Sequence, residues 1–140
     1  MNDPMAVLNT LLVPLTAIVG IMSCKVGLEA NLTPDDYPII RIVPATLTPN
    51  GGGNVNGSRT LAITVYFGAQ LLEATDGLPA VYAELFRLDA AIREALLVTA
   101  IATSRASGGS LQVTYRDTVC DEDRLPHYKL MAARFDVVEW

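Results

Sequence analysis

The sequence has few of the residues that most metal and catalytic sites use. Its 140 residues include two cysteines and one histidine. Cys24 and Cys120 are far apart and form no Cys-x-x-Cys pair, which argues against a zinc site or a disulfide framework. The ten Lys and Arg residues are scattered, and the net charge is −5. Binding to nucleic-acid phosphates through a basic surface is therefore not predicted.

Apolar residues, in contrast, are abundant for a chain of this length. Hydrophobic residues make up 51% of the sequence, charged residues make up 18%, and the mean hydropathy is +0.33. The length predicts a single domain, residues 1–140, and is too short for a two-domain dinucleotide enzyme. The apolar excess excludes general disorder. It predicts either a segment within a membrane or apolar surface that neighbouring subunits cover.

Residues 4–24 are the longest run without a charged residue. The first part of this run has helical spacing, with Asp3 as the predicted N-cap and Pro4 in the first turn. From Ile21 onward, apolar residues alternate with small or polar ones, which is typical of a strand. The run therefore predicts a helix followed by a strand. Because a helix of about four turns is short for a bilayer, a membrane-associated module anchored by residues 4–22 is kept only as an alternative.

The rest of the chain predicts four more strands and one long helix. The strands are predicted at residues 38–44, 59–70, 111–116 and 128–140. A Gly-, Asn- and Pro-containing loop at residues 45–58 is expected to be mobile. The helix begins after Asp76, its predicted cap, and ends within residues 104–110. The order α-β-β-β-α-β-β, with short connections, predicts an α+β fold: a mostly antiparallel β-sheet with an N-terminal helix and one long central helix packed on it.

Periodicity within these elements predicts which side chains face the core. The predicted core face of the long helix comprises Val81, Tyr82, Leu85, Leu88, Ile92, Ala95, Leu96 and Thr99. Its solvent side comprises Glu84, Arg87, Asp89, Arg93 and Glu94, with Glu84–Arg87 and Asp89–Arg93 as ion pairs. The core-facing strand residues are Leu61, Ile63, Val65 and Phe67, and in the last strand Met131, Ala133, Phe135 and Val137.

The densest cluster of candidate ligands consists of Asp121, Glu122, Asp123 and His127. It does not have the alternating ligands and central glycine of an EF-hand loop, so it predicts a solvated acidic turn. The segment from Gly52 to Arg59 is close to a phosphate-binding loop, but Ser58 replaces the lysine and a strand follows. No serine or cysteine nucleophile is placed beside the single histidine. We therefore predict that the chain is not an enzyme and has no catalytic residues, no metal and no cofactor.

Several segments together carry a resemblance to a known family. They are the apolar N-terminal helix, the string Leu32-Thr33-Pro34-Asp35-Asp36-Tyr37-Pro38-Ile39-Ile40-Arg41-Ile42, the glycine-rich loop, the strand at 59–70, the long helix, and Ala133-Arg134-Phe135 in the last strand. In their order and character, these segments resemble the tail terminator (tail completion) proteins of long-tailed bacteriophages. The resemblance covers nearly the whole chain.

This resemblance implies a structural protein of the virion neck, assembled in the host cytoplasm, with no membrane and no catalytic residues. The subunit would form a homohexameric ring that caps the tail tube, end polymerisation of the tail tube protein, and join the tail to the head–tail connector or stopper protein. DNA would pass through the channel without sequence-specific binding, which an acidic chain suits. The apolar excess would then lie at subunit contacts. Another neck or tail-tube subunit is the alternative within the virion.

Overall fold

The fold is a single five-stranded sheet with helices packed on one side. The computed structural model describes residues 3–29, 31–50, 59–70, 77–125 and 128–139. Its elements are α1 (Pro4–Thr16), β1 (Ser23–Val26), a 3-10 turn (Pro34–Asp36), β2 (Ile39–Pro49), β3 (Arg59–Gln70), α2 (Gly77–Glu94), a π-helical turn (Ala95–Thr99), α3 (Ala100–Ala106), β4 (Leu111–Leu125) and β5 (Tyr128–Glu139). The predicted α+β class and the order α-β-β-β-α-β-β are confirmed, because α2, the π turn and α3 form one continuous helical segment.

The sheet has the strand order β1-β2-β3-β5-β4. Three of its four strand pairs are antiparallel, as predicted, and β1 pairs with β2 in parallel. A parallel pair needs a connection of about a dozen residues or more to bring the chain back, and residues 27–38 provide it. This connection crosses the side of the sheet that the helices leave open.

Helix α1 begins as the sequence predicts. The Asp3 carboxylate accepts a hydrogen bond of 3.2 Å from the backbone N–H of Ala6, and Pro4 occupies the first turn. The buried side chains of α1 are Val7, Leu8, Leu11 and Leu15, and they belong to the main core. The apolar side of residues 4–16 is thus used within the domain. Among the residues that the structure describes, no helix has both the length and the apolar character to cross a bilayer.

The main core lies between the helices and the sheet, and the two longest predicted alternations are confirmed. All eight predicted core-facing residues of β3 and β5 are at most 2% exposed. A smaller cluster on the opposite side of the sheet joins Tyr37, Ile39 and Leu130, with Leu32 packed against it. Because Leu32 and Tyr37 belong to the connection between β1 and β2, this cluster holds the connection against the sheet.

Two segments predicted as irregular are strands in part. Residues 45–49, predicted as the start of the loop at 45–58, belong to β2, and Leu47 pairs with Leu61. The edge strand β4 runs through residues 121–125, which the sequence predicted as an acidic turn. In both cases, pairing with a neighbouring strand overrides the preference of proline and charged residues for loops and turns. Residues 51–58 and the predicted cap Asp76 lie outside the described residues.

The long helix buries the predicted face with two exceptions. Val81, Leu85, Leu88, Ile92, Ala95 and Leu96 are buried, and Tyr82 is partly buried against the core. Thr99, in contrast, is exposed, and Ala100 is buried instead. The π turn explains this, because the N–H of Ala100 bonds to the carbonyl of Ala95, one residue further back than in an α-helix. The second exception is Asp89, which was predicted on the solvent side and is only 7% exposed.

Candidate assembly surface

The helical segment exposes a regular row of side chains on the side away from the sheet. Its members are Ala83, Arg87, Ala90, Glu94 and Val98, and all five are exposed. They recur at steps of three or four positions, so they lie along one side of the helix. We call these five residues the outer helix face. No helix or strand of the described residues covers it, and Phe86, which is 52% exposed, lies beside it.

A groove runs between the outer helix face and the turn that follows α1. It has a volume of about 390 Å³. Its small or apolar lining consists of Pro14, Ala17, Ile18 and Val19 on one side and Ala91, Ala95 and Thr99 on the other. Arg87 and Glu94 also line it and are its charged residues. Val19 is 83% exposed, the largest exposed fraction among the bulky apolar side chains of the described residues.

Arg87 holds the turn after α1 in place beside α2. Its Nη2 donates a 3.3 Å hydrogen bond to the carbonyl oxygen of Val19, and its Nε and Nη2 donate to the Glu84 carboxylate at 2.9 and 2.6 Å. The hydrogen bonds from Arg87 lower the pKa of Glu84 below its ordinary value. The predicted Glu84–Arg87 ion pair is confirmed, and it also positions Val19 at the surface.

A second charged group, Arg41, is completely buried in β2. It lies on the side of the sheet that the connection between β1 and β2 covers, at register with Lys25 of β1 and Tyr66 of β3. Its Nε and Nη2 donate to Glu29 Oε1 at 3.1 and 2.7 Å. The remaining donors reach the Oγ of Ser23 at 2.7 Å and the carbonyl oxygens of Ser23 and Ile40 at 3.0 and 2.9 Å. Arg41 therefore ties the connection to two strands.

A fall in pH is expected to weaken the contacts between Arg41 and Glu29, because the Glu29 carboxylate becomes protonated. Its hydrogen bonds with Arg41 lower the pKa of Glu29 below the ordinary value of 4.5. A carboxyl group with a lower pKa in the folded chain stabilises the fold above its unfolded pKa, and this contribution is lost as the pH falls through the folded pKa. Glu29→Gln is therefore expected to flatten the loss of unfolding free energy between about pH 5 and pH 3 in urea titrations. Equal acid dependence in Glu29→Gln and the wild type would contradict this, and Asp35→Asn, at an exposed position, is the control.

The buried Asp89 links α2 to β4. Its Oδ1 accepts a 2.6 Å hydrogen bond from the Thr118 hydroxyl, and its Oδ2 accepts one of 3.1 Å from Arg93 Nε. The Thr118 hydroxyl is also 2.6 Å from the Tyr115 hydroxyl, and the Arg93 guanidinium lies 5.5 Å from the centroid of the Tyr115 ring. The predicted Asp89–Arg93 pair is confirmed. These groups satisfy one another and link α2 to β4.

The residues considered for chemistry are not brought together where the structure describes them. Cys24 packs against the core, where burial raises the pKa of its thiol, and Cys120 is exposed on β4. Neither forms a disulfide. In the described part of the chain, no group of three His, Cys, Asp or Glu side chains is placed to hold a metal ion. The side chains of residues 121–128, which include His127, and the Gly52–Ser58 segment lie outside that part.

The open side of the sheet carries exposed ion pairs. The Arg134 guanidinium binds both carboxylate oxygens of Asp117, and Arg116 Nε is 3.5 Å from Asp136 Oδ2. The outer edge strand β4 contains two register shifts, between residues 115 and 117 and between residues 119 and 123. Charges and bulges of this kind protect a sheet edge from pairing with another chain.

No protein-family model and no curated protein matches the sequence. In the described ranges the surface offers an exposed helix face, an apolar groove and a protected sheet edge.

Sequence reasoning missed two features of this surface. One is the burial of Arg41, although its position among Ile39, Ile40 and Ile42 was a usable signal, because a lone charge in a strand buried on both sides must find a partner. The other is the outer helix face. Its signal was the weak polarity of the solvent side, where Ala83, Ala90 and Val98 recur at helical spacing.

Proposed function

We propose that the chain is a virion structural subunit of the tail terminator type. It forms a ring that caps the phage tail tube, ends tube polymerisation and joins the tail to the head connector. The observation that carries this proposal is the element order α-β-β-β-α-β-β on one mostly antiparallel sheet, because this element order is also the main feature that carries the resemblance. No catalytic residue, metal or cofactor is required for this role.

The distribution of exposed apolar side chains also supports an assembly role. In the described residues, exposed large apolar side chains occur on α1, on the turn after it, on the connection between β1 and β2, on strands and on the long helix. They are Met5, Val13, Val19, Met22, Leu28, Leu47, Leu78, Phe86, Val98 and Val119. Single exposed apolar residues are normal, but their spread over several sides suits a subunit with more than one neighbour. The net charge of −5 suits a channel through which DNA slides without being held.

The membrane alternative has less support. The four buried side chains of α1 pack against the domain's own sheet and helices, so the most apolar side of residues 4–16 is occupied. The second alternative, another neck or tail-tube subunit, shares the assembly role and differs in where the protein lies in the virion. Location in the particle therefore distinguishes the alternatives.

The test combines the mass of the purified full-length chain with its location in virions. Light scattering and negative-stain imaging are expected to show rings of one diameter, at least in the presence of tail tubes. Gold-labelled antibodies are expected to mark the head-proximal end of the tail. Label along the tube would favour the tail-tube alternative, and label in the membrane fraction would favour the anchored module. A strict monomer that never occurs at the tail end would overturn the proposal.

A further inference from the structure

The outer helix face has the spacing of a helix–helix contact. Its residues follow one another at steps of three or four, the steps by which one helix packs against another. Ala90 is at the centre and carries only a methyl group, so a second helix axis can approach to about 8–10 Å. The face is therefore shaped to receive one helix.

The two charges of the face are placed on opposite sides of its centre. Arg87 precedes Ala90 by three positions, and Glu94 follows it by four. If a second copy of the face runs antiparallel to the first, Arg87 of each copy lies opposite Glu94 of the other, and Ala83 lies opposite Val98. A parallel arrangement in the same register would place Arg87 against Arg87. The charges thus favour an antiparallel copy of the same face.

Arg87 and Glu94 can each form an ion pair with a second copy of the chain. Arg87 uses its Nε and Nη2 for Glu84 and Val19, and its Nη1 donates no hydrogen bond within the described residues. Glu94 is exposed and forms no ion pair in the same ranges. An Arg87–Glu94 pair between copies would therefore leave the Glu84–Arg87 pair in place.

We propose that the outer helix face binds the same face of a second copy of this chain, in an antiparallel two-fold contact centred at Ala90. The contact contains two Arg87–Glu94 ion pairs and two Ala83–Val98 packing contacts. Val19, which Arg87 holds beside the face, lies near the Ala95 end of the second copy's groove. This arrangement covers the most exposed bulky apolar side chain of the described residues.

The contact goes beyond the proposed function and does not depend on it. A two-fold contact uses one surface twice and closes on two copies, whereas a cyclic ring needs two different surfaces. The ring must therefore form through other residues. Loss of the two-fold contact would leave the ring proposal intact, and loss of the ring would leave the two-fold contact intact.

Charge exchange provides the main test. Sedimentation equilibrium of the full-length chain is expected to show a reversible dimer. Glu94→Arg and Arg87→Glu are each expected to weaken it by about tenfold or more, because each variant puts like charges opposite each other twice per dimer. The double variant restores both interchain pairs with opposite polarity but loses the Arg87 hydrogen bonds to Glu84 and Val19, so it is expected to dimerise more tightly than either single variant and more weakly than the wild type. Gln112→Arg, at an exposed position on β4, is the control and is expected to leave the dimer unchanged.

Cysteine cross-linking tests the position of the contact separately. In a Cys120→Ser background, Ala90→Cys is expected to form a covalent dimer on mild oxidation, and Gln112→Cys is not. Circular dichroism of each variant checks that the fold is retained. A wild-type chain that stays monomeric at about 100 μM would overturn the proposal, since a specific dimer of moderate affinity would be populated there. Single variants that dimerise as tightly as the wild type, or a double variant no tighter than the singles, would also overturn it.

Discussion

Arg41→Ala is expected to lower the free energy of unfolding by about 2–4 kcal/mol, because each buried acceptor that loses its donor costs about 1–3 kcal/mol, while the Glu29 side chain is 34% exposed and stays in contact with water. Arg41 is completely buried and donates to Glu29, to the Ser23 hydroxyl and to two backbone carbonyls. Alanine removes all these donors and leaves the carbonyl oxygens of Ser23 and Ile40 without them. The variant is thus expected to loosen the connection between β1 and β2 from the sheet.

A second arginine provides the matched control for this prediction. Arg134 also binds a carboxylate through two nitrogens, but its side chain is 51% exposed. Exposed pairs contribute little, so Arg134→Ala is expected to cost about 1 kcal/mol or less. Urea titration of both variants at neutral pH measures the difference, and similar costs for the two would contradict the structural role of Arg41.

Phe135→Ala is the other substitution with a large expected effect. Phe135 is 0% exposed on β5, and its ring centroid lies 5.4 Å from that of Tyr115. Truncation of a buried phenylalanine removes apolar contacts and leaves a cavity, which costs about 3–5 kcal/mol. The expected result is a lower midpoint of urea unfolding with little change in its denaturant dependence.

The matched control is Phe86→Ala, because Phe86 is 52% exposed and lies beside the outer helix face. Its effect on unfolding of the monomer is expected to be within about 0.5 kcal/mol. Comparison at a protein concentration low enough to keep the chain monomeric separates folding from association. A large loss of stability in Phe86→Ala would show that this side chain belongs to the core.

Much of the fold could be predicted from the sequence where one periodicity persists over a whole element. The alternation in β3 and β5 and the Asp3 cap of α1 are local signals, and the structure confirms them. The end of β2 was not predictable in the same way, because residues 45–49 are held in a strand by pairing with β3. Likewise, the parallel pairing of β1 with β2 depends on the path of a distant connection.

The candidate surface was less predictable, because it depends on what remains uncovered after packing. Asp89 has the sequence signature of a solvent-side helix residue, and it is buried because Thr118 of β4 happens to lie opposite it. Conversely, Ala83, Ala90 and Val98 form a candidate contact surface because no element of the described residues covers them. Neither fact is present in the local sequence, since both depend on the assembled layers.

The π-helical turn at Ala95–Thr99 divides the long helix into two parts, and the pattern of buried positions shifts by one residue between them. Before the turn, the buried positions follow the series Leu85, Leu88 and Ile92. An unbroken α-helix would extend that series to Thr99, yet the structure extends it to Ala100. The extra residue in the π turn moves the buried side of the following helix by one position along the sequence. Deleting one residue within 95–99 is therefore expected to restore an unbroken α-helix that still turns Ala100 toward the sheet, whereas closing the π turn without a deletion would turn the exposed Thr99 toward it.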